Sequence, residues 1–285
     1  MRLTVRVPAT SANLGPGFDC LGLALDLCNE VTVDTEAEPS VAWTGEGADE
    51  LPVDGSDRIS RTMAAVAAAA GKGLPPLAMR ALNRIPLERG LGSSAAAAVA
   101  GVVLADRLLD LGLSQGDVLS SAVGVEGHPD NAAAAVLGGL TVAAGETVLR
   151  LTPHRALRPV VLIPDDVRLP TAEARAAMPD RVAMADAVFN LQRTALALVA
   201  LTERPGYLPL ALDDRLHQRY RLPLVPSVHA VFDRLREAGS PVCVSGAGPA
   251  LLAFETEGSP VADPGEGWTV LRPGVREAGY EVSAD

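Results

Sequence analysis

The sequence predicts an α+β fold, and three observations predict it. Apolar and polar residues alternate near the start, alanine-rich runs of helical length fill the middle, and short strand patterns mix with helices towards the end. Strands that come first and are followed by helices with strands fit α+β better than a doubly wound parallel sheet.

Leu3, Val5 and Val7 alternate with Thr4 and Arg6, so residues 2–7 read as a strand that Pro8 ends. Residues 9–19 read as a loop of small polar residues, Gly and Pro, and residues 21–27 and 30–34 as further strand. Asp57 is placed to cap a helix running to about residue 70, with Gly71 just past its end. A second loop covers residues 86–92. Ser93 or Ser94 then opens an Ala-rich helix to about Leu111, closed by Gly112. Ser114 and Asp117 have the spacing of a capping box for the next helix. Residues 127–131 interrupt the helical pattern and a short Ala-rich helix follows. Residues 141–144 and 148–151 form a hairpin turning near Gly145, and residues 152–159 read as a linker. Beyond it come a strand at 160–163, helices at about 172–177, 183–201 and 228–238, and two short strands flanking residues 245–249.

A chain of 285 residues has room for two modest domains or one large one. Hydrophobic residues make up 48% and charged residues 21%, as in a globular protein with a real core. Aromatics are only 3%, so the core must come from Ala, Val and Leu, and few rings are available to stack nucleic-acid bases. A formal net charge of −11 with no Lys/Arg stripe excludes a duplex-binding protein, so no nucleic-acid partner is expected. Arg carries nearly all the positive charge. That suits planar recognition of carboxylate or phosphate, and it also follows from a GC-rich coding bias. Cys20, Cys28 and Cys243 lack metal-ligand spacing, and their odd number suggests reduced thiols. The first ten residues run straight into a strand pattern, and the longest apolar stretches, 64–70 and 95–104, fall short of a membrane span. A cytoplasmic location without a membrane partner is the resulting expectation.

Three loops concentrate chemistry. Pro86-Leu87-Glu88-Arg89-Gly90-Leu91-Gly92-Ser93-Ser94-Ala95-Ala96 sets two glycines and two hydroxyls at the mouth of a helix, whose free N–H groups and partial positive charge favour phosphate. No Lys follows the second Gly, so this is not the G-x-x-x-x-G-K-[ST] loop, and an ordinary glycine turn before a buried helix is the alternative. The segment from Pro8 to Asp19 packs Thr10, Ser11, Asn13 and Asp19 around Gly15 and Gly17 directly after a strand. Val244-Ser245-Gly246-Ala247-Gly248-Pro249-Ala250 sets small residues between two strands, where another backbone or a ligand can come close. A hairpin turn explains it equally well.

In these three loops, their order and their spacing, the chain resembles the homoserine kinase family of the GHMP kinase superfamily. The wording of residues 8–25 and the run Gly127-His128-Pro129-Asp130-Asn131 point to that branch. The resemblance covers nearly the whole chain. It implies an N-terminal domain like ribosomal protein S5 domain 2 over residues 1–153, which binds ATP, and a ferredoxin-like C-terminal domain over 154–285. It implies phosphoryl transfer from ATP to the hydroxyl of L-homoserine, in threonine biosynthesis. The loop from Pro86 to Ala96 would wrap the phosphates, with Gly246 and Gly248 adding to the nucleotide site, and Ser94 and Glu126 would hold Mg²⁺. Arg175 and Arg221 would bind the substrate carboxylate. Asp19 and His128 would lie near the ammonium, and Asn13 and Asn131 near the hydroxyl. Asp19, Asn131, Ser94 and Glu126 would carry the catalysis, with Asp19 the candidate should a base act. A homodimer is expected from the family and from the frequency of two-fold dimers. The chain departs from the family pattern at Arg58, where Asn often approaches the adenine, at Ala250, where Thr or Ser is usual, and at Glu88, where a small residue is usual. Another kinase of the superfamily and a non-catalytic protein on the same fold are the alternatives. Two substrate-site arginines count against a sugar or mevalonate pocket, and joint retention of Ser94, Glu126, Asp19 and Asn131 counts against a non-catalytic role.

Overall fold

The computed structural model describes residues 1–256 and 260–284. Its first sheet is built around two long antiparallel strands, β1 (Arg2–Ala12) and β2 (Leu21–Asp34). Beyond β2 lie β4 (Ala78–Asn83) and, parallel to it, β3 (Ser40–Gly45). The start of β2 pairs with β5 (Leu140–Ala144), which turns into β6 (Thr147–Leu151). The free edge of β1 is closed by β11 (Glu281–Ala284), so the chain ends in the sheet where it began.

Pro8 does not end β1. It has no N–H to give the ladder, and the pairing absorbs this as a register shift between Pro8 and Ala9, after which Ala9–Ala12 pair with Leu25–Gly22. Four residues expected in the first loop are therefore strand, and the loop opens at Asn13. β2 likewise runs unbroken through the gap expected at residues 28–29.

The helices cover this sheet. α1 (Arg58–Ala69) starts on Asp57, whose Oδ1 accepts from the Ser60 N–H at 2.9 Å, as expected. α2 (Ser93–Leu109) is buried along most of its length, and its alanines let α1 and β1 approach closely. It ends at Asp110 in the left-handed region, before the expected Gly112. The Ser114–Asp117 capping box opens α3 (Gln115–Glu126), which Gly127 terminates. α4 (Pro129–Leu137) begins earlier than the sequence suggests, because Pro at the first position is pre-set for a helix, so Asp130 and Asn131 occupy its first turn.

The second sheet is antiparallel, in the order β10 (Trp268–Leu271), β7 (Arg158–Pro164), β9 (Leu251–Glu255), β8 (Val242–Val244). Counted within this sheet the order is 4-1-3-2, that of a split βαβ unit. Its inner strands β7 and β9, and the short β8, are buried on both sides, while β10 is partly exposed. Val161, Ile163, Leu252 and Phe254 join the main core, while Val160, Leu162, Leu251 and Ala253 pack on Val228, Phe232 and Leu235 of α9 (Pro226–Glu237). Between β7 and α9 run α5 (Thr171–Ala176), α6 (Met184–Thr202) and two one-turn helices, α7 (Leu208–Ala211) and α8 (Gln218–Arg221).

α6 corrects the expectation about apolar stretches. A window of 18 of its 19 residues has a mean hydropathy of 1.2, enough by length and composition alone to cross a membrane, and 22% of that window is buried. Asp186 and Arg193 interrupt it, Ala197, Ala200 and Leu201 pack into the main core, and the buried Asn190, with Thr194, donates to the Pro16 carbonyl, as in a surface helix docked along one side.

Candidate active site

The three loops identified in the sequence meet where the two sheets adjoin. Backbone hydrogen bonds tie them together: Thr10 N–H to Leu91 carbonyl at 3.0 Å, Gly246 N–H to Ala12 carbonyl at 3.1 Å, and Ala250 N–H to Arg89 carbonyl at 3.2 Å. The Ser245 hydroxyl lies 2.7 Å from the Gly90 carbonyl oxygen and 2.8 Å from the Ser11 hydroxyl. The third loop thus clamps the other two.

Glu88, Gly90 and Gly92 all have positive φ (55, 75 and 70°), which coils the second loop into a cradle. A Cβ on Gly90 would strike the Ser245 carbonyl, and one on Gly92 would strike the Thr10 hydroxyl. Gly92 is also the N-cap of α2 and offers no side-chain cap, so the first N–H groups of a 17-residue helix stay available to an anion. Arg89 lines the same cavity. One guanidinium nitrogen donates to the Asp165 carbonyl at 2.6 Å, while Nη1 is buried without a partner among the described residues. Burial pulls this guanidinium below its ordinary pKa, with repulsion from Arg168 adding to it.

Two cavities adjoin the cradle. One, of about 400 Å³, reaches from Gly90–Ser94 to Asp19, His128, Arg175 and Arg221. The other, of about 350 Å³, is lined by Trp43, Leu51, Ile59, Leu87 and Asp57. They share Arg58, Glu88, Ser93 and Ser94. Asp57 Oδ1 caps α1, but among the described residues its buried Oδ2 has no partner. At the junction, Ser94 at the start of α2 donates to Glu126 Oε1 at 2.7 Å across the end of α3, and Arg58 Nη2 approaches the same oxygen at 3.3 Å.

The far end of the larger cavity holds charge of both signs. Asn13 at φ 70° is buried. Its amide donates to the Gly246 carbonyl at 2.7 Å, and its Oδ1 accepts from the Asp19 N–H at 3.0 Å. This holds Asp19 at φ 54°, and Arg175 grips the Asp19 carboxylate with both arms, at 2.7 and 3.1 Å. Arg221 is 3% exposed. Its Nη1 donates to the Gly246 carbonyl at 2.9 Å, its Nε has no partner, and among the described residues it forms no ion pair. Burial, with repulsion from Arg175 next, pushes Arg221 down to about 10. Phe18 contacts both arginines, with its ring centroid 5.7 Å from the Arg175 guanidinium carbon and 5.1 Å from that of Arg221. Behind it, His217 stacks on Phe18 with centroids 5.3 Å apart, and its Nε2 lies 2.8 Å from the Gly15 carbonyl. His217 is fully buried, which lowers its pKa. A neutral ring donating from Nε2 leaves Nδ1 to accept from Arg221 at 3.3 Å.

His128 caps α4 without a capping bond, and its Nδ1 lies 3.1 Å from Asp130 Oδ1, which raises its pKa. Asn131 Oδ1 accepts from the Thr10 hydroxyl at 2.7 Å. Of the residues expected at the site, Asn13, Asp19, Ser94, Glu126, His128, Asn131, Arg175 and Arg221 all line the larger cavity, as do Pro86, Glu88, Arg89, Gly90, Leu91, Gly92, Ser93 and Gly246. Leu87 and Ala96 line the smaller one. Ala95 is buried and lines neither. Nor does Gly248, whose N–H closes the third loop on the Ser245 carbonyl at 2.8 Å. Ala250 is also buried outside both cavities. Sequence reasoning assigned no role to Phe18, Thr10, Asp130, His217 and Trp43. The first three lie inside motifs already singled out, whereas His217 and Trp43 carry no local signal and come in through the fold.

A family model for the GHMP kinases N terminal domain matches residues 57–139. The homoserine kinase of Rhodococcus opacus is 44% identical over 282 residues, covering 92% of this chain and 90% of that protein. That of Cutibacterium acnes is 46% identical over 260 residues, covering 88% of each. Among solved structures, homoserine kinase from Cytophaga hutchinsonii superposes with a TM-score of 0.85 at 26% identity, covering 99% of this chain and 97% of that one. Mevalonate diphosphate decarboxylase from Staphylococcus aureus shares the fold, with a TM-score of 0.66 at 17% identity. Identity at this level along nearly the full length places the chain in the homoserine kinase family of the GHMP kinases.

Proposed function

We propose that this protein transfers the γ-phosphoryl group of ATP to the side-chain hydroxyl of L-homoserine, giving O-phospho-L-homoserine for threonine biosynthesis. One observation carries the substrate assignment: among the described residues Arg221 is a buried cation without a carboxylate partner, beside an Asp19–Arg175 pair facing the same cavity. A zwitterionic amino acid completes this set. Its carboxylate satisfies Arg221 and Arg175, and its ammonium takes the Asp19 carboxylate. His128 sits near the ammonium, its own charge matched by Asp130. Asn13 and Asn131 border the path of the hydroxyl towards the cradle.

The triphosphate lies on the Gly90–Ser94 amides, and the nucleoside enters the smaller cavity, where Trp43, Leu51, Ile59 and Leu87 offer apolar contact. The unpartnered Asp57 Oδ2 suits the exocyclic amine of adenine. The Ser94 hydroxyl and Glu126 carboxylate fit Mg²⁺. They are hard oxygen donors at the phosphate cradle, and among the described residues no cluster of three or more acidic, His or Cys side chains competes, so phosphate and water would complete the shell. Bound there, the ion would neutralise phosphate charge. The transferred group passes through a loose transition state, so the protein's part is alignment and charge placement, and no general base is required. Asn13 and Phe18 hold Asp19 and the arginines at fixed positions for that alignment.

The division at residues 153/154 into a nucleotide-binding unit and a ferredoxin-like unit belongs to this proposal, with β11 counted to the first sheet. So do a cytoplasmic location and a homodimer. The dimer is supported by Met184, Val188, Leu191, Ala195 and Val199, which form one exposed apolar stripe along α6. A coupled ADP-release assay with L-homoserine, mevalonate, galactose and shikimate, with and without Mg²⁺, tests the function. Turnover with homoserine alone and only with metal is expected. Turnover with another alcohol, or none across the panel, overturns it.

A further inference from the structure

We propose that Arg58 is a nucleotide-phosphate contact that neutralises Glu126 in the empty protein and turns to the phosphates when nucleotide binds, so that this protein holds nucleotide with a reduced need for divalent cation. The inference rests on the nucleotide reading above and adds to it a residue that departs from the family pattern.

Position is the first argument. Arg58 is the first residue of α1, its backbone fixed by the Asp57 cap, and its side chain reaches Glu126 Oε1 at 3.3 Å. It is the one guanidinium that lines both cavities among the described residues, so it stands where a chain of phosphates would pass from the nucleoside cavity to the cradle. Arg168, on the smaller cavity, is gripped by Glu50 at 2.5 and 2.6 Å. Arg89, on the larger cavity alone, is anchored at the Asp165 carbonyl by one nitrogen, so it serves the cradle and not the junction.

Charge and freedom are the second. The Glu126 side chain is 5% exposed and that of Arg58 is 38% exposed, so the carboxylate is fixed and the guanidinium can move. A buried carboxylate needs a counter-charge, and Arg58 supplies it together with the Ser94 hydroxyl. Both act on Oε1, and among the described residues nothing hydrogen-bonds Oε2, which leaves that oxygen for a metal. The cradle itself contains no lysine and sets Glu88 beside Arg89, so a mobile guanidinium at the junction adds a cation for a metal-free nucleotide. A guanidinium matches phosphate oxygens with two parallel N–H groups, a better pairing than its single contact with Glu126.

The test is calorimetric titration of ADP into the full chain and into Arg58→Gln and Arg58→Lys, in EDTA and in excess Mg²⁺. Loss of one charged phosphate contact lowers affinity about tenfold. The expected result is that Arg58→Gln weakens ADP by about tenfold in EDTA but by no more than about twofold in excess Mg²⁺, and that Arg58→Lys keeps most of the metal-free affinity. Equal loss with and without Mg²⁺, or no loss in EDTA, overturns the proposal while leaving the nucleotide site intact. Failure of the unaltered protein to bind ADP under either condition overturns the nucleotide reading, and this inference with it.

Discussion

Replacing Arg221 by Met separates a substrate-binding role from a structural one, because the two predict opposite changes in stability. The guanidinium is 3% exposed and is pushed down by more than two units, to about 10, first by burial and then by Arg175. At 1.36 kcal/mol per pKa unit, holding this cation in the empty protein costs about 3 kcal/mol. Hydrogen bonds to the Gly246 carbonyl and His217 Nδ1 offset part of that, and the unpartnered Nε offsets none. A methionine of similar length removes the charge and keeps the packing on Phe18, so R221M should match or exceed the unaltered protein in stability. Each kcal/mol is worth about 2 °C in Tm at this size. Substrate binding should respond the other way. Removing one partner from a buried charge-assisted contact costs about 2–4 kcal/mol, which raises KM for homoserine about 30- to 1000-fold. The assays are thermal melting without substrate and the coupled ADP-release assay over a homoserine titration. A Tm lowered by more than about 5 °C together with an unchanged KM would refute the reasoning, because it would make Arg221 a structural cation.

Three further outcomes are expected. Gly92→Ala puts a Cβ against the Thr10 hydroxyl at φ 70° and breaks its bond to Asn131, so Tm should fall by about 4–6 °C and ADP binding should be lost; wild-type values for both would sink the cradle argument. The His128 pKa is raised by its bond to Asp130, so the stability it contributes is complete below the ordinary value of 6.5 and lost as pH rises through the higher folded value. The Tm difference between the protein and His128→Gln should therefore shrink from about pH 5.5 to about pH 8.5, and a constant or growing difference contradicts it. Leu191→Glu charges the middle of the exposed α6 stripe and should convert a dimer into a monomer by light scattering; a monomeric parent protein, or an unmoved dimer, removes the stripe as an interface.

Local chemistry was legible in the sequence wherever neighbouring residues settle it. The Asp57 cap, the Ser114–Asp117 capping box and the coiling of Gly90–Gly92 before α2 depend on backbone groups a few residues away, and they formed as the pattern predicts. Strands β3 and β4 did not show. Ala78–Asn83 has no strand composition of its own, and becomes a strand because β2 and β3 hydrogen-bond it from either side. Pro8 misled for a related reason: whether a missing N–H ends a strand or makes a bulge is decided by the partner strand. At the site, the motifs gave the residue types, and the resemblance to a family gave their roles. Only the fold could bring Asp19 to Arg175 across 156 residues, fix Asn13 between two loops, bury Arg221 without an ion pair among the described residues, and set Arg58 on Glu126. Hydrogen bonds and dihedral preferences act over a few residues and are written in sequence order, whereas burial and ion pairing depend on distance in space, which the chain acquires only when the two sheets meet.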